Sequence, residues 1–323
     1  MEEKRKKIFI TGASGFLGRH LLQDKRFAVF DLVLITRNSA KLTNAGNAKI
    51  IQGDLNRPEC YVEELKSCDF VIHMAGEKRL EAEMEMTNVG SMNQILGIHR
   101  QQPTFKLIYI SSAGVYGIKH HPEKLIDENS PCMPDTVYEK TKLKAEEMLE
   151  EYAKRTPIDF AILRPSNVIG ISDEQPKLLT MIRSIQKGRF FFASKKAMVN
   201  YVHVDLVIEI IWQLVKKSKM NNQCYNVNSP KLLIEFSHDI AREIKVSDKF
   251  IRLPLFLLRM LAVIGDRYPE KFKYFNSVKL LAITNLAYYS AEKLETDFNF
   301  RFKESLKEGI HSLVSFYQLK GLL

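Results

Sequence analysis

Cysteine is scarce in this 323-residue chain, and its pattern excludes two classes of stabilising site. The four cysteines, Cys60, Cys68, Cys132 and Cys224, form no CxxC pair and lie beside no histidine cluster. Structural zinc sites and disulfide frameworks need such groupings. The sequence therefore predicts no metal site and no disulfide-stapled fold.

Long apolar runs are also missing. The longest, Leu253 to Ile264, is interrupted by Arg259 and is too short to cross a bilayer. The first residues are charged and lead directly into an apolar strand, without the apolar core of a signal peptide. We expect a soluble, cytoplasmic protein without a transmembrane segment.

Positive charge is in excess, with 48 Lys and Arg against 38 Asp and Glu and a formal net charge of +10. The basic residues are dispersed, and no basic stretch is interleaved with aromatic residues as in an RNA-binding strand. This pattern argues against a nucleic-acid partner. The charge balance suits either an anionic small-molecule substrate or solubility alone.

Short β-branched runs alternate with helical patterns through the first half of the chain. Such alternation is typical of parallel strands joined by right-handed crossovers, and nearly all-apolar strands indicate a sheet covered on both faces. The prediction is an α/β fold, a Rossmann-type doubly wound parallel sheet with a smaller, mostly helical substrate domain. The predicted strands are Ile8–Thr11, Leu32–Thr36, Lys49–Gln52, Phe70–His73, Leu107–Ser111 and Phe160–Leu163, and the predicted helices cover about 15–24, 58–67, 80–101 and 135–155.

The regular alternation fades after about residue 165. A helical pattern over 176–188, a strand over Asn200–Val204 and a helix over 205–218 follow, and the last ninety residues are mostly helical in pattern. We expect a Rossmann domain of residues 1–165, to which 200–228 return. Residues 166–199 and 229–323 are expected to form the substrate-binding domain.

A glycine-rich turn follows the first predicted strand and opens the first helix. Its sequence, Thr11 to Gly18, spaces Gly12, Gly15 and Gly18 as G-x-x-G-x-x-G. Gly12 allows a tight turn, Gly15 lets a pyrophosphate approach the backbone, and Gly18 lets the helix pack closely. The helix N-terminus offers its N–H groups and dipole to phosphates. The turn predicts a dinucleotide-binding site.

The end of the second strand distinguishes NAD from NADP. An acidic residue there binds the ribose 2′-hydroxyl, whereas an arginine suits a 2′-phosphate. Here the strand ends in Thr36, Arg37 and Asn38, without an acid. We therefore favour NADP(H) over NAD(H), with Asp54 as a candidate for the adenine edge. The other interpretation is that Arg37 is a solvated loop residue.

Tyr138 and Lys142 are four residues apart, which places both on one face of a helix. Phenols have a pKa near 10, and a neighbouring ammonium is expected to lower it, so that Tyr138 can exchange a proton with a carbinol. The same spacing recurs by chance at Tyr289 and Lys293, far from the alternating unit. The position of Tyr138 after the fifth strand, where active sites of open α/β sheets lie, favours the first pair.

Two serines end the fifth strand. A hydroxyl at this place can hydrogen-bond the reacting oxygen beside Tyr138 and share its developing charge. We select Ser112 for this role. The alternative for such a serine is a turn residue that caps backbone amides, which we consider plausible for Ser111.

Together these segments resemble the extended short-chain dehydrogenase/reductases, and among them the NAD-dependent epimerase/dehydratase family of nucleotide-sugar enzymes. The resemblance covers about residues 7 to 318. It includes Tyr201-Val202-His203-Val204-Asp205 and Leu163-Arg164-Pro165-Ser166-Asn167. His73 to Gly76 matches an H-[LM]-A-A segment, with Gly76 replacing an alanine, and Thr87 to Gly90 matches a T-N-V-x-G helix. The resemblance implies a cofactor site of Gly12, Ser14, Gly15, Phe16, Leu17, Gly18, Arg37, Asp54, Leu55, Met74, Ala75, Gly76, Asn88, Ser111, Tyr138, Lys142 and Pro165.

The resemblance also bears on the reaction. Sugar 4,6-dehydratases of this family carry an Asp-Glu pair after the catalytic hydroxyl, where this chain has Ala113 and Gly114. This argues against dehydration and leaves 4-epimerisation or 4-keto reduction of a nucleotide-linked sugar. The candidate substrate residues are Ser112, Tyr138, Asn167 and Arg189, and the alternative for Arg189 is a solvated loop cation. Dimers are common in the family, and the oligomeric state stays open at this point.

Two other functions stay open at this point. One is reduction of an apolar ketone, such as a sterol or flavonoid, in which Leu253 to Ile264 would line a pocket or face a membrane. The other is a non-catalytic NADP(H)-binding sensor or scaffold. Such proteins commonly lose the tyrosine or the lysine, and this chain has Ser112, Tyr138 and Lys142.

Overall fold

The structure is a computed structural model that describes residues 5–42, 44–121, 125–172, 175–270, 275–299 and 305–323. Its strands are β1 Lys7–Thr11, β2 Asp31–Thr36, β3 Lys49–Gln52, β4 Phe70–His73, β5 Lys106–Ile110, β6 Leu125–Ile126, β7 Phe160–Pro165, β8 Asn167–Ile169, β9 Phe191–Phe192, β10 Met198–His203, β11 Gln223–Val227, β12 Ser229–Leu232, β13 Ile251–Arg252 and β14 Tyr288–Tyr289. Its α-helices are α1 Phe16–Gln23, α2 Val62–Lys66, α3 Glu81–Met84, α4 Ser91–Gln101, α5 Val137–Arg155, α6 Pro176–Gln186, α7 Val204–Lys216, α8 Leu233–Glu243, α9 Leu255–Arg267, α10 Ser277–Thr284, α11 Glu292–Phe298 and α12 Ser305–Leu319.

Contacts within the chain divide it into two compact units. Unit 1 contains the described residues up to Gly117, together with Pro131–Pro165 and Val204–Val227. Unit 2 contains Ile118–Ser130, Ser166–His203 and the described residues from Asn228 onward. The sequence prediction places 118–130 in the first domain. In the structure the described residues of this segment belong to unit 2, where β6 pairs in parallel with β14.

A seven-stranded parallel sheet forms the centre of unit 1, in the order β11-β7-β5-β4-β1-β2-β3. Every neighbouring pair is parallel, for example Thr11 with Ile35 in β1 and β2, and Thr11 with His73 in β1 and β4. The predicted fold class is confirmed. The chain leaves β1 toward β2 and β3 on one side, then returns to β4 on the other. This reversal is the point at which doubly wound sheets bind ligands, beyond the carboxyl ends of their strands.

Both faces of this sheet are buried except at its edge strand β3, which is largely exposed. On one face, strand residues such as Phe9, Val71 and Leu107 pack against side chains of α2, α4 and α5. On the other face, Ile8 and Ile72 are equally inaccessible, and α1 packs against α7. Two-sided burial explains why these strands are continuous apolar runs rather than alternating ones.

The helix predicted over 80–101 is divided by one wide turn. α3 and α4 are joined by a π-helical segment, Glu85–Gly90, which places Asn88 in the protein interior. π-helical turns arise where an extra residue is accommodated in a helix, and they are frequent at functional sites.

Unit 2 has its own small sheets and core. β10 pairs antiparallel with β12 and parallel with β8, and β9 pairs with β13. Its apolar core contains side chains of α6, α8 and α12, such as Ile182, Phe236 and Leu313. Among the described residues, no helix is long and apolar enough to span a bilayer.

Candidate active site

The glycine turn between β1 and α1 is shaped by close backbone contacts. Gly12 has φ +71°, and a Cβ there would lie 2.7 Å from the Ala75 nitrogen. A Cβ at Gly18 would lie 2.4 Å from the Gly12 carbonyl oxygen. Only glycine satisfies both constraints, since the opposing atoms belong to the backbone. Gly15 is the N-cap of α1, and the first turn of this helix carries no acidic residue, so its positive dipole end is available to an anion.

A buried histidine and threonine tie this turn to the end of β4. The Thr11 hydroxyl accepts hydrogen bonds from the Met74 and Ala75 backbone nitrogens, each 3.1 Å long, and lies 2.7 Å from His73 Nδ1. His73 Nε2 lies 3.1 Å from the Ser91 hydroxyl. Burial, with a smaller contribution from the charge of Lys142, lowers the pKa of His73 to about 3. His73 is therefore neutral and acts as a tether rather than as a proton carrier.

Asn88 connects the segment after β4 with helix α5. Its side-chain oxygen accepts from the Glu77 nitrogen at 2.7 Å, and its amide donates to the Glu77 carbonyl at 3.0 Å and the Thr141 hydroxyl at 2.8 Å. Asn88 is 1% exposed. These bonds use both the oxygen and the nitrogen of the Asn88 amide. They indicate that Asn88 positions the backbone at Gly76, the residue before Glu77.

Helix α5 begins with a capping box that fixes the position of Tyr138. The Thr136 hydroxyl accepts from the Glu139 nitrogen, and the Glu139 carboxylate accepts from the Thr136 nitrogen at 2.9 Å. Such reciprocal caps satisfy the free N–H groups of the first helical turn. Tyr138 is the second residue of the helix and is partly exposed, and Lys142 follows one turn later.

Lys142 is a buried cation that makes no described ion pair. It is 2% exposed; its ammonium donates to the Ile110 carbonyl oxygen at 2.9 Å and lies 4.8 Å from the centre of the Tyr109 ring. A Cβ on Gly76 would be 3.2 Å from Lys142 Nζ, so the ammonium lies directly beside the segment that follows β4. Burial lowers the pKa of Lys142 to about 8, partly offset by the carboxylate of Glu146.

The predicted effect of Lys142 on Tyr138 is wrong in this structure. Burial raises the pKa of Tyr138 to about 12, and the carboxylate of Glu139 acts in the same direction. The expected lowering was based on the spacing of the two residues alone. Desolvation of the phenolate outweighs it, because the Lys142 ammonium is directed at Ile110 and Tyr109.

Of the two serines after β5, Ser112 rather than Ser111 caps a backbone amide. Ser112 begins a short 3₁₀ turn, Ala113–Tyr116, and its hydroxyl accepts a hydrogen bond from the Gly114 nitrogen at 3.1 Å. Ser112 is thus the capping serine, although its hydroxyl hydrogen is still available to a reacting oxygen. The buried Ser111 hydroxyl, by contrast, has no hydrogen-bond partner among the described residues.

Glu139 also packs against the turn that follows Ser112. A Cβ on Gly114 would lie 2.9 Å from both Cγ and Oε1 of Glu139. The space that a side chain at position 114 would need is therefore taken by the residue next to Tyr138. This contact fixes the position of the turn relative to the start of α5.

A buried network behind the site was not found by sequence reasoning. The Arg164 guanidinium binds the Glu146 carboxylate, with Nε 3.1 Å from both oxygens, and donates to the Tyr116 hydroxyl at 2.7 Å. That hydroxyl lies 2.9 Å from the Asn226 side-chain oxygen. The network joins α5, β7, β11 and the Ala113–Tyr116 turn. The only sequence signal was the match of Arg164 and Tyr116 to family segments.

The remaining predicted cofactor residues line the ends of the strands in unit 1. Arg37 follows β2 and is exposed, with Nη1 3.7 Å from Glu83 Oε2. Asp54 accepts from the Asn56 nitrogen at 2.9 Å, and the Leu55 carbonyl accepts from the Tyr61 hydroxyl at 2.6 Å. Ser14, Phe16, Leu17, Met74 and Ala75 are partly exposed, and Pro165 is the buried last residue of β7.

The predicted substrate residues Asn167 and Arg189 belong to unit 2. The exposed Asn167 donates to the Asn200 carbonyl at 3.0 Å, and Arg189 is exposed just after Gly188, which has φ +62°. The second tyrosine-lysine match does not form a helical pair, because Tyr289 ends β14 and Lys293 lies in α11. Among the described residues, no cluster of His, Cys, Asp and Glu fits a metal ion.

A model of the NAD dependent epimerase/dehydratase family matches residues 8–228. The chain belongs to this family. Its fold and its NAD(P)-dependent class are thereby established. The match spans all seven strands of the central sheet, together with Ser112, Tyr138 and Lys142.

Individual relatives of this family member act on different substrates. It is 28% identical to the N-acetyl-α-D-glucosaminyl-diphospho-ditrans,octacis-undecaprenol 4-epimerase of Escherichia coli O157:H7 over 237 residues, which are 70% of this chain and 68% of that protein. It is 25% identical to dihydroflavonol 4-reductase of Arabidopsis thaliana, over 100% of this chain and 85% of that protein. The structure of UDP-glucuronic acid 4-epimerase from Bacillus cereus in complex with NAD superposes with a TM-score of 0.70 at 19% identity, covering 98% of this chain and 99% of that one.

Proposed function

We propose that this family member transfers a hydride between a nicotinamide and the 4-position of a diphosphate-linked sugar, as a 4-epimerase or a 4-keto reductase. The observation that carries the proposal is the buried ammonium of Lys142, one turn from Tyr138 and beside the segment that Thr11 ties to the glycine turn. A buried, unpaired cation with a perturbed pKa is more often functional than structural.

The residues present fit a dinucleotide. Gly12 and Gly18 hold a turn that no side chain can enter, and the N-terminus of α1 suits a pyrophosphate. Ser14, Gly15, Phe16 and the Met74–Gly76 segment would hold the cofactor, with Asn88 positioning Gly76. When bound, the nicotinamide accepts or supplies the hydride.

The proton steps are assigned to this chain's own residues. In the reductive step Tyr138, which its raised pKa keeps protonated, donates its hydroxyl proton to the keto oxygen as the carbon gains a hydride, and in the oxidative step the phenolate takes the carbinol proton back. The Lys142 ammonium would hold the ribose of the nicotinamide half of the cofactor, and the Ser112 hydroxyl donates a hydrogen bond to the reacting oxygen. These roles leave the sugar neutral at the start and at the end of each half-reaction.

Two features support epimerisation or reduction over dehydration. Position 113 is alanine and position 114 is glycine, so neither supplies an acid or a base. Any side chain at position 114 would also collide with Glu139, whose carboxylate is engaged in the α5 cap.

The sugar substrate is defined here by its diphosphate. In our proposal the group attached to the other end of the diphosphate is a nucleoside. The E. coli relative is named for a sugar linked to undecaprenol, which supports a polyprenol as the alternative group. Asn167 and Arg189 are the proposed substrate residues of unit 2, and Arg189 has the charge to bind a phosphate.

The test is turnover by the Tyr138→Phe variant. Sugars linked to UDP, GDP and dTDP are first screened for thermal stabilisation, and turnover is then measured on those that bind. We expect Tyr138→Phe to lower turnover by about 100-fold or more, with cofactor affinity nearly unchanged. Tyr289→Phe, from the chance tyrosine-lysine match, is the matched control and should keep activity. Full activity of Tyr138→Phe would refute the assignment, and cofactor binding without any change of redox state would favour a sensor.

NADP(H) is the proposed cofactor, on the basis of Arg37. Its partner Glu83 is 45% exposed at the side chain, and exposed ion pairs of this kind contribute only about 0–1 kcal/mol, so a 2′-phosphate can displace the carboxylate. We expect Arg37→Ala to weaken NADPH binding about tenfold more than NADH binding. Glu83→Gln, the control, should improve NADPH binding. Equal losses for the two cofactors would contradict the preference.

A second candidate is the reduction of an apolar ketone. The observation that favours it is the match of the entire chain to dihydroflavonol 4-reductase, whereas the E. coli epimerase matches 70% of it. Adding a dihydroflavonol to the thermal and turnover screens separates the two substrates, because both use the same Tyr138 chemistry.

A further inference from the structure

Exposed apolar side chains are concentrated in one part of unit 2. Ten of the nineteen large apolar side chains that are exposed among the described residues lie between Ile251 and Leu281. Scattered exposed apolar residues are normal on a protein surface, but a contiguous group marks an interaction site.

Helix α9 carries most of this group on its outer face. Leu258, Ala262 and Gly265 are buried, at the spacing of one helical stripe. Phe256, Met260 and Val263 lie on the opposite side and are 68%, 59% and 67% exposed. Helix α9 is thus apolar both on its buried face and on its solvent-exposed face.

Helix α10 packs against α9 and carries two more exposed apolar side chains. Its residues Val278 and Leu281 are 71% and 42% exposed. A Cβ on Gly265 would lie 1.8 Å from the Phe275 carbonyl oxygen, so the approach to α10 is possible only for glycine. The Asp266 carboxylate accepts from the Ser277 nitrogen at 3.2 Å. We call the exposed side chains of Phe256, Met260, Val263, Val278 and Leu281 the α9–α10 surface.

Exposed arginines occur along the segment of chain that carries the α9–α10 surface. Arg252, Arg259 and Arg267 are exposed and make no ion pair with a described residue. On α9, Arg259 flanks the apolar stripe and Arg267 ends it. Apolar side chains beside unpaired guanidinium groups suit the surface of an anionic lipid bilayer. Arginine can keep its aliphatic stem in contact with apolar groups while its guanidinium reaches a lipid phosphate.

We propose that the α9–α10 surface lies on an anionic lipid bilayer, with Phe256, Met260 and Val263 inserted at the level of the headgroups. Arg259 and Arg267 bind lipid phosphates. The net charge of +10 adds attraction to the anionic membrane. Where the substrate carrier is a polyprenol, this placement brings the enzyme to the membrane that holds the carrier, a consequence that rests on the proposed function.

The test measures co-sedimentation of the full chain with vesicles. We expect binding to vesicles of phosphatidylglycerol and phosphatidylethanolamine, little binding to phosphatidylcholine alone, and weaker binding as salt is raised. The variant F256S/M260S/V263S should bind at least tenfold more weakly. V29S/I50S/L319S, which replaces exposed apolar residues elsewhere, should bind like the parent. R259Q/R267Q should lower affinity about 25-fold, or about fivefold per arginine.

Three results would overturn the proposal. They are absence of binding to the anionic vesicles at low salt, unchanged binding by F256S/M260S/V263S, and a dimer in sedimentation velocity that this variant converts to monomer, since a second copy would then cover the surface. Circular dichroism establishes that each variant is folded. The Tyr138→Phe variant should bind vesicles fully, so failure of the proposed chemistry is distinguishable from failure of the membrane proposal.

Discussion

Replacement of Lys142 by methionine should stabilise the protein while it removes activity. Methionine has a similar length and no charge, so the variant relieves the cost of burying an ammonium. Holding the pKa of Lys142 at about 8 instead of its ordinary 10.5 corresponds to about 3 kcal/mol at neutral pH, at about 1.4 kcal/mol per pKa unit. The variant also loses the bond to Ile110 and the contact with the Tyr109 ring, together about 1–2 kcal/mol.

The net gain is therefore about 1–2 kcal/mol below pH 8, which for a chain of this size raises Tm by roughly 2–6 °C. The pH dependence has a definite sign. Between about pH 8 and 10.5 the unfolded chain holds a proton on Lys142 that the folded chain has lost, so stability of the parent rises with pH in this window. The difference in Tm between Lys142→Met and the parent should be largest below pH 8 and should shrink toward pH 10.5.

Thermal unfolding followed by circular dichroism at several pH values between about 6.5 and 10 provides the assay. Lys140→Met replaces an exposed lysine of the same helix and should change Tm little at any of these pH values. A Lys142→Met protein that is less stable than the parent at pH 7, or a Tm difference that does not vary with pH, would refute the reasoning.

Two further substitutions test the packing around the site. Gly18→Ala should destabilise the protein by about 1–3 kcal/mol in urea unfolding, because its Cβ meets backbone atoms, whereas Gly97→Ala, in an open position of α4, should be neutral or stabilising. An equal effect of the two would contradict the close contact. Glu146→Gln should lower the free energy of unfolding by about 3 kcal/mol or more by leaving Arg164 buried without a carboxylate. The exposed Glu147→Gln is its control, and a tolerated Glu146→Gln would show that the buried pair is not strongly coupled.

The central strands of unit 1 were predictable because two-sided burial leaves a strong local signal, whereas the exposed edge strand β3 was predicted from its short β-branched run alone. β3 and β4 have the predicted bounds, and β1 and β2 extend one residue further at their start. The wide turn at Glu85–Gly90 was not predictable, because it depends on the bonds of Asn88 to Glu77 and Thr141, which are distant in sequence.

The site was predictable in its residue types and less so in its electrostatics. The spacing of Tyr138 and Lys142 places them on adjacent turns of α5. Tyr289 and Lys293 have the same spacing but lie in different elements, β14 and α11. The sequence contains no information about which of two adjacent hydroxyls faces a turn amide. Ser112 caps Gly114 because the strand ends at Ile110 and the 3₁₀ turn begins at Ala113.

Two buried cations in unit 1, Arg164 and Lys142, differ in whether a carboxylate compensates their charge. Arg164 is compensated by Glu146, which raises its pKa above the ordinary value, and it braces β7 against α5. Lys142 lies on the same helix one turn before Glu146, yet that carboxylate is bound to Arg164, and the pKa of Lys142 falls to about 8. A chain selected for stability alone would pair both cations or replace the second by an apolar residue. Retaining an ammonium that Glu146 offsets only in part is costly, and we infer that the cost is accepted because the charge is needed once cofactor and substrate are bound.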